Sequence, residues 1–309
     1  CGVAGQEGPG EQGHPDDQDQ GDDDDGAHVR PRLGALGLDL ADHPRAVVEV
    51  RGQGGEHLGQ PWSAVALPQD EHHGDLVGGG VVDLPGELPQ RANIWALASI
   101  GIEQIISVSA VGSLREDLPP RTIVLPDQII DRTVMRPRTF FDGPVVAHVG
   151  LGDPFCDVFR GSIAASADQA QQELSRNGTY VCIEGPQFST RAESHLHRAW
   201  GASVVGMTAM PEARLAREAG LCYAMLAMVT DFDVWHDQEE DVTVDIVMSH
   251  MAANGRAVGT ILRELANQGV PERSCSCSRA LSGAIMTDRT VVSKEEWSRL
   301  ALLIENDAK

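Results

Sequence analysis

The sequence predicts an α/β fold, a sheet covered by helices on both faces, on three observations. Short apolar runs recur beyond residue 84, stretches of helical spacing separate them, and the longest run, Leu221 to Val229, carries no charge. A strand free of charge has both faces buried, and strands alternating with amphipathic helices are the pattern of a covered sheet.

The first thirty residues combine glycines with the run Asp22-Asp23-Asp24-Asp25. They hold too little apolar surface to offset the entropy of ordering, so disorder is expected. The aspartates lack the glycine and glutamate positions of a calcium loop and read as a solvated acidic tail. Ala46-Val47-Val48-Glu49-Val50 has strand character, but no regular succession of elements emerges between Val29 and Asp83. Val77-Gly78-Gly79-Gly80-Val81-Val82 has the glycines of a phosphate loop without its Lys-Ser or Lys-Thr, so it reads as a flexible linker.

The pattern changes at Leu84. Ala92 to Ile100 has helical spacing stopped by Gly101, and Gln104 to Ala110 is a strand bounded by Gly112. Further strands are predicted at Thr122–Leu125, Tyr180–Ile183, Ser203–Val205 and Leu221–Val229. Helices are predicted at Phe155–Ser175, Thr190–Trp200 and Pro211–Ala219, with a last long one from Val242 to Asn267. The chain therefore divides into an acidic, Gly- and Asp-rich segment, residues 1–83, and one α/β domain, residues 84–309.

Charge and cysteine usage narrow the function. A formal charge of -22 opposes a nucleic-acid partner, which needs a basic surface. No run approaches the ~20 apolar residues of a membrane span, and the start lacks a signal peptide's features. A cytoplasmic protein is expected. The chain begins with Cys1 rather than Met, which leaves the true start open. Cys182 and Cys222 lie in apolar runs, and Cys275-Ser276-Cys277 is closer than a usual zinc pair, with no second pair evident along the chain. No metal is expected. Inert thiols are the favoured reading over a redox pair.

Three strand ends carry polar groups: Ser109-Ala110, Met207-Thr208 and Asp231-Phe232-Asp233. Ligands of open α/β sheets sit beyond such ends. Hydroxyls and backbone amides at Ser109, Ala110 and Thr208 suit an anion such as phosphate. Asp231 and Asp233, two residues apart, fall on one side of an extended chain and can divide donor and acceptor roles toward a nitrogen heterocycle. Phe188 in Glu184-Gly185-Pro186-Gln187-Phe188-Ser189 can stack on its face. Plain structural alternatives stand beside these: Ser109 as a strand end, Thr208 as a helix cap, Phe188 as core.

Several long motifs carry a resemblance. They are Ser107-Val108-Ser109-Ala110-Val111-Gly112-Ser113-Leu114-Arg115-Glu116, Asp131-Arg132-Thr133 with Arg136-Pro137 and Thr139-Phe140-Phe141-Asp142-Gly143, Glu184 to Glu193, Gly206-Met207-Thr208 with Pro211-Glu212, and Thr230 to Trp235. From about Leu84 to Lys309 the chain resembles the methylthioadenosine phosphorylases of the trimeric purine nucleoside phosphorylase family. The resemblance implies a mixed central sheet flanked by helices. It also implies phosphorolysis of S-methyl-5'-thioadenosine in purine and methionine salvage, no cofactor beyond inorganic phosphate as co-substrate, and a homotrimer. Under it Ser109, Ala110 and Thr208 contact phosphate, Met207 lies against ribose and Phe188 flanks the base. Asp231 and Asp233 hold adenine through N7 and the 6-amino group, with Asp231 the proton donor. Val244 and Val247 shape the methylthio pocket, and His148 approaches it from a neighbouring subunit. The alternatives are a 6-oxopurine phosphorylase, whose relatives tend to place Asn at one acid position, and an inactive nucleoside-binding protein.

Residues 1–83 depart from this pattern. They contain neither the family's early Gly-Gly-Ser-Gly turn nor its Pro-Arg-His-Gly element, which supply a hydroxyl and a cation to phosphate. Only Lys294 and Lys309 are lysines, the bias of a GC-rich gene, and residues 1–83 are read as translated from another frame or other DNA. The other readings are a degenerate protein with a replaced N-terminus and a fused domain. Without the first strands of the fold, an exposed sheet edge, a phosphate site without its cation, poor folding and weak activity are expected.

Overall fold

The computed structural model describes residues 46–51, 84–236, 244–269 and 272–306, with side chains at all of these except 46–51, 244–248, 305 and 306. They lie in the unit running from Asp39 to Lys309. Expectations for the acidic tail and the glycine run at 77–82 fall outside them.

The two longest strands form the centre. β2 (Gln104–Ser113) and β7 (Cys222–Phe232) run parallel, from Gln104 opposite Cys222 to Ser113 opposite Phe232, with an irregularity between Val111 and Gly112. Side chains of a strand alternate between faces, and β7 shows what that does. Tyr223, Met225, Ala227 and Val229 join one apolar cluster, while Cys222, Ala224, Leu226 and Met228 join another. The first cluster is completed by α1 (Gln90–Ser99) and α4 (Ala209–Glu218), the second by α2 (Asp157–Gln169) and α5 (Val244–Asn267). A charge anywhere in this run would be buried on one face or the other, each apolar side chain contributing about 1.5–3 kcal/mol when fully buried.

The sheet order is β3-β7-β2-β6-β5-β4, with β1 also on β2, in a seven-stranded sheet. β3 (Ile123–Val124) is antiparallel to β7, and β6 (Val204–Gly206) is antiparallel to the end of β2. β5 (Thr179–Cys182) and β4 (Gln128–Asp131) add in parallel. The expected mixed sheet flanked by helices is therefore present. Among the described residues no helix is long and apolar enough to cross a membrane.

Several expectations are corrected. β1 (Ala46–Arg51) pairs in parallel with β2, from Ala46 opposite Gln104 to Arg51 opposite Ser109. That edge of β2 is thus paired rather than exposed, and the β-branched Val47, Val48 and Val50 favour such a strand. β2 continues past Ala110 to Ser113, so Ser109 and Ala110 lie within the strand just before its irregularity rather than at its end. α2 starts at Asp157 and stops at Gln169, because Gln171 adopts a left-handed φ of 53°. Ser175 then pairs with Val124 in an isolated bridge. β4 and the C-terminal helices α6 (Lys294–Arg299) and α7 (Ala301–Asn306) had no counterpart in the sequence reading. All four residues of β4 are half-buried, which leaves little alternation to read. α6 has a Ser293 cap on the Glu296 amide but no buried residue; among the described residues of this region Leu300 and Leu303 are buried in the core, with Trp297, Leu302 and Ile304 packed against it.

Candidate functional site

β6 reaches the sheet antiparallel to β2, Val204 opposite Ser113 and Val205 opposite Gly112. Continuing in that direction, residues 206 to 208 run back past 111 to 109. Gly206 permits this approach: a Cβ there would collide with the Tyr180 hydroxyl and press on Val111. Thr208 consequently meets Ser109. Its Oγ1 donates to Ser109 Oγ at 2.9 Å, and Ser109 Oγ donates to the Ala110 carbonyl at 3.2 Å. Thr208 precedes α4, yet its side chain makes no capping bond. The hydroxyl is committed to Ser109, which removes the capping alternative. The Thr208 amide donates to Tyr180 Oη at 3.3 Å, and burial pushes that phenol's pKa up.

The acids stand three positions further along β2. Asp231 is the register partner of Gly112, and a Cβ on Gly112 would touch Asp231 Oδ1, Asp233 Cβ and Val205. The acid pair and the hydroxyl pair are therefore separated by three residues, ~10 Å of strand. Asp231 Oδ2 accepts from Thr230 Oγ1 at 2.7 Å. Asp233 has left the strand. Its amide donates to the Ser113 carbonyl at 3.0 Å, the Trp235 indole donates to the same oxygen at 2.8 Å, and the Arg198 guanidinium lies 3.4 Å over the Trp235 ring. Asp233 is 7% exposed, and its Oδ2 is buried without a hydrogen-bond partner. A buried acceptor left unmade costs about 1–3 kcal/mol, and more for a charged group.

Arg136 joins the loops on either side. Its side chain is 1% exposed and donates to Glu184 Oε1 at 2.9 Å, to the carbonyls of Met207 and Met210 at 2.5 and 2.6 Å, and to those of Ile183 and Glu184 at 3.2 and 2.5 Å. One planar guanidinium thus ties the Phe188 loop to the Met207-Thr208 turn. Burial acts to raise the Glu184 pKa, but the amides of Val134 and Met135 and the Arg136 guanidinium hold it below the usual range. At Gly185, with φ of 71°, a side chain would strike Met207 Sδ, so Met207 lies directly beneath the start of the Phe188 loop.

Phe188 is 82% exposed at the tip of that loop, which removes the core alternative. Behind it, Thr190 and Glu193 form a capping box that starts α3 (Arg191–Ala199). On the far side α5 grips the end of β7: His250 Nδ1 lies 2.8 Å from the Thr230 carbonyl, and Asn254 Nδ2 donates to that of Val229 at 2.9 Å. Val247 stands one helical turn before His250, and Val244 one turn before that. The side chains of Val244 and Val247 lie outside the described residues. His148 is exposed, and its amide donates to the Ala284 carbonyl at 2.8 Å.

The sequence reading missed Arg136 as an organiser, although an arginine inside a long motif and next to proline was a usable signal. It also missed His197, which is 3% exposed with Nδ1 unpartnered. Burial lowers the His197 pKa, and the negative field of Asp233 opposes the shift. No residue pattern pointed to that neighbour across the fold.

Comparison with known proteins gives concordant findings. The sequence model of the Phosphorylase superfamily matches residues 80–267. The S-methyl-5'-thioadenosine phosphorylase of Geobacter sulfurreducens is 47% identical over 222 residues, 72% of this chain and 78% of the relative. That of Koribacter versatilis is 48% identical over 221 residues, covering 72% and 76%. Among solved structures, a methylthioadenosine phosphorylase from an antarctic soil metagenomic library superposes with a TM-score of 0.66 at 44% identity, over 71% of this chain and 78% of that one. A variant of the adenosine/methylthioadenosine phosphorylase from Schistosoma mansoni, in complex with adenine, gives 0.62 at 35%, over 66% and 81%.

Proposed function

This chain belongs to the phosphorylase superfamily, and from that membership we propose that it splits S-methyl-5'-thioadenosine with phosphate into adenine and 5-methylthioribose 1-phosphate. The observation that carries the reading is the pairing of a buried carboxylate oxygen that lacks a partner, on Asp233, with a hydroxyl pair three strand positions away. One end suits the exocyclic amine of adenine, the other suits phosphate, and the ~10 Å between them is the length of a nucleoside.

The chemistry follows from where charge develops. As the bond between C1' and N9 breaks, ribose becomes cationic and the purine anionic. Asp231 delivers a proton to N7 and so stabilises the leaving base, while phosphate attacks the opposite face of C1'. Asp233 accepts from the 6-amino group. Phe188 covers the base, Met207 lies along ribose, and Ser109, the Ala110 amide and Thr208 hold phosphate. Val244 and Val247 line the methylthio pocket, with His148 reaching it from the adjoining subunit of a homotrimer. No cofactor enters. The placement of Val244 and Val247 on the helix that grips β7 supports this assignment, as does the exposure of His148. The setting is purine and methionine salvage in the cytoplasm.

Phosphorus NMR of the purified chain with S-methyl-5'-thioadenosine and phosphate tests the reading. The expected result is a sugar phosphate signal growing in step with adenine. Faster turnover of inosine would assign the chain to 6-oxopurines instead. Adenine binding without any turnover would make it a nucleoside-binding protein, a reading favoured by the lack, among the described residues, of an Arg or Lys hydrogen-bonded to either hydroxyl.

A further inference from the structure

Four cysteines from three separate segments of the chain meet at the amino end of β7. Cys222 opens the strand, Cys156 precedes α2, and Cys275 and Cys277 flank a short turn after α5. Their sulfurs all lie within 4.8 Å of one another, Cys222 and Cys275 at 3.3 Å. The expectation that Cys275 and Cys277 lack a second pair is thereby overturned. The fold, not the spacing along the chain, supplies Cys156 and Cys222. The cluster is remote from the acid pair, since nine residues of strand between Cys222 and Asp231 span ~30 Å.

The geometry and the surroundings both suit a metal. A zinc ion with four sulfurs at ~2.3 Å sets them ~3.8 Å apart, within the range the four already occupy. Cys156, Cys222 and Cys277 are buried, while Cys275 is half-exposed and leaves a way in. Charge is matched as well. A divalent ion on four thiolates carries two negative charges, and two guanidiniums border the cluster. Arg217 Nη1 donates to Cys277 Sγ at 3.4 Å. Arg273, two residues before Cys275, donates through Nη2 to the Gly220 carbonyl, two residues before Cys222. Hydrogen bonds from such neighbours orient and tune thiolate ligands. Two disulfides would require an oxidant and sulfurs at bonding distance, whereas metal binding requires only that each thiol release its proton to solvent.

We propose that Cys156, Cys222, Cys275 and Cys277 form a tetrathiolate site for a structural zinc ion, clasping α2, β7 and the segment after α5. On binding, four S–H bonds break, four Zn–S bonds form and four protons leave, with no change of oxidation state.

The test uses the full chain, purified with a phosphine reductant and no chelator. Elemental analysis is expected to find about one zinc per chain. After zinc removal, Co(II) should give the visible bands and sulfur-to-metal charge transfer of a tetrahedral four-thiolate site, displaced by Zn(II). Cys275→Ser, at the half-exposed position, should lose the four-sulfur spectrum, and Arg217→Gln should weaken Zn(II) about 10–100-fold while keeping it. If a variant misfolds, wild-type stoichiometry and the Co(II) spectrum decide alone. Four thiols reacting with a disulfide reagent equally fast with and without Zn(II), no Co(II) spectrum, or internal disulfides in the reductant-treated chain would overturn the proposal.

Discussion

The acid end and the hydroxyl end of the candidate site lie three positions apart along β2 yet are finished differently. At the acid end, Asp233 is fixed by its own amide and by Trp235 through one carbonyl of β2, while its outer carboxylate oxygen is buried and unsatisfied. At the hydroxyl end, Thr208 and Ser109 satisfy each other, and Ser109 also donates to the next carbonyl. An unmet acceptor favours a donor-bearing ligand from the outset, because binding removes a desolvation cost already present. A self-satisfied pair must exchange one bond for another and gains less. The base should therefore be held by a preorganised site, and phosphate by one that tightens as the nucleoside arrives.

That contrast can be broken by substitution. The largest effect is expected at the proposed proton donor: Asp231→Asn should lower kcat by about 10²–10⁴ with little change in the KM for phosphate, as steady-state kinetics would show. Unchanged kcat would remove Asp231 from the chemistry. Next comes Arg136, which serves both ends. Arg136→Met strands Glu184 and several carbonyls, and should cost about 3–5 kcal/mol in denaturant unfolding and impair both substrates together. Selective loss of one substrate would show that the two ends are held independently. Smaller are Ser109→Ala and Thr208→Val, each expected to raise the KM for phosphate about 10–100-fold, the worth of a bond to a charged group, while leaving the nucleoside KM nearly unchanged.

The smallest effect is one of pH. The Glu184 pKa is depressed in the folded chain, so its stabilisation is present above the ordinary value of 4.5 and is lost as pH falls through the native value. Thermal unfolding followed below pH 5 should show this loss in the wild type and less of it in Glu184→Gln. Equal slopes would mean that Glu184 gains nothing from its amide and guanidinium partners.

How far the sequence revealed these regions depended on the range of the contacts. The central sheet was legible because the run Cys222 to Val229 in β7 carries no charge and feeds cores on both sides. The acids were legible because they end that same run. The short β4 was not, since its residues are all half-buried. The meeting of Ser109 with Thr208 depends on an antiparallel return after β6 that only the register discloses, and the grip of Arg136 on five groups depends on loops distant in sequence. The cysteine cluster shows the same limit: Cys275 and Cys277 are neighbours in the chain, but Cys156 and Cys222 become their neighbours only when α2 and β7 are placed.

Calorimetric titration of adenine into the purified chain, with and without saturating phosphate, tests most directly whether the two ends form one site. The account predicts that phosphate tightens adenine binding by a factor within the usual coupling range of about 5–150, and that adenine tightens phosphate by the same factor. Identical adenine affinity in the two titrations would contradict it.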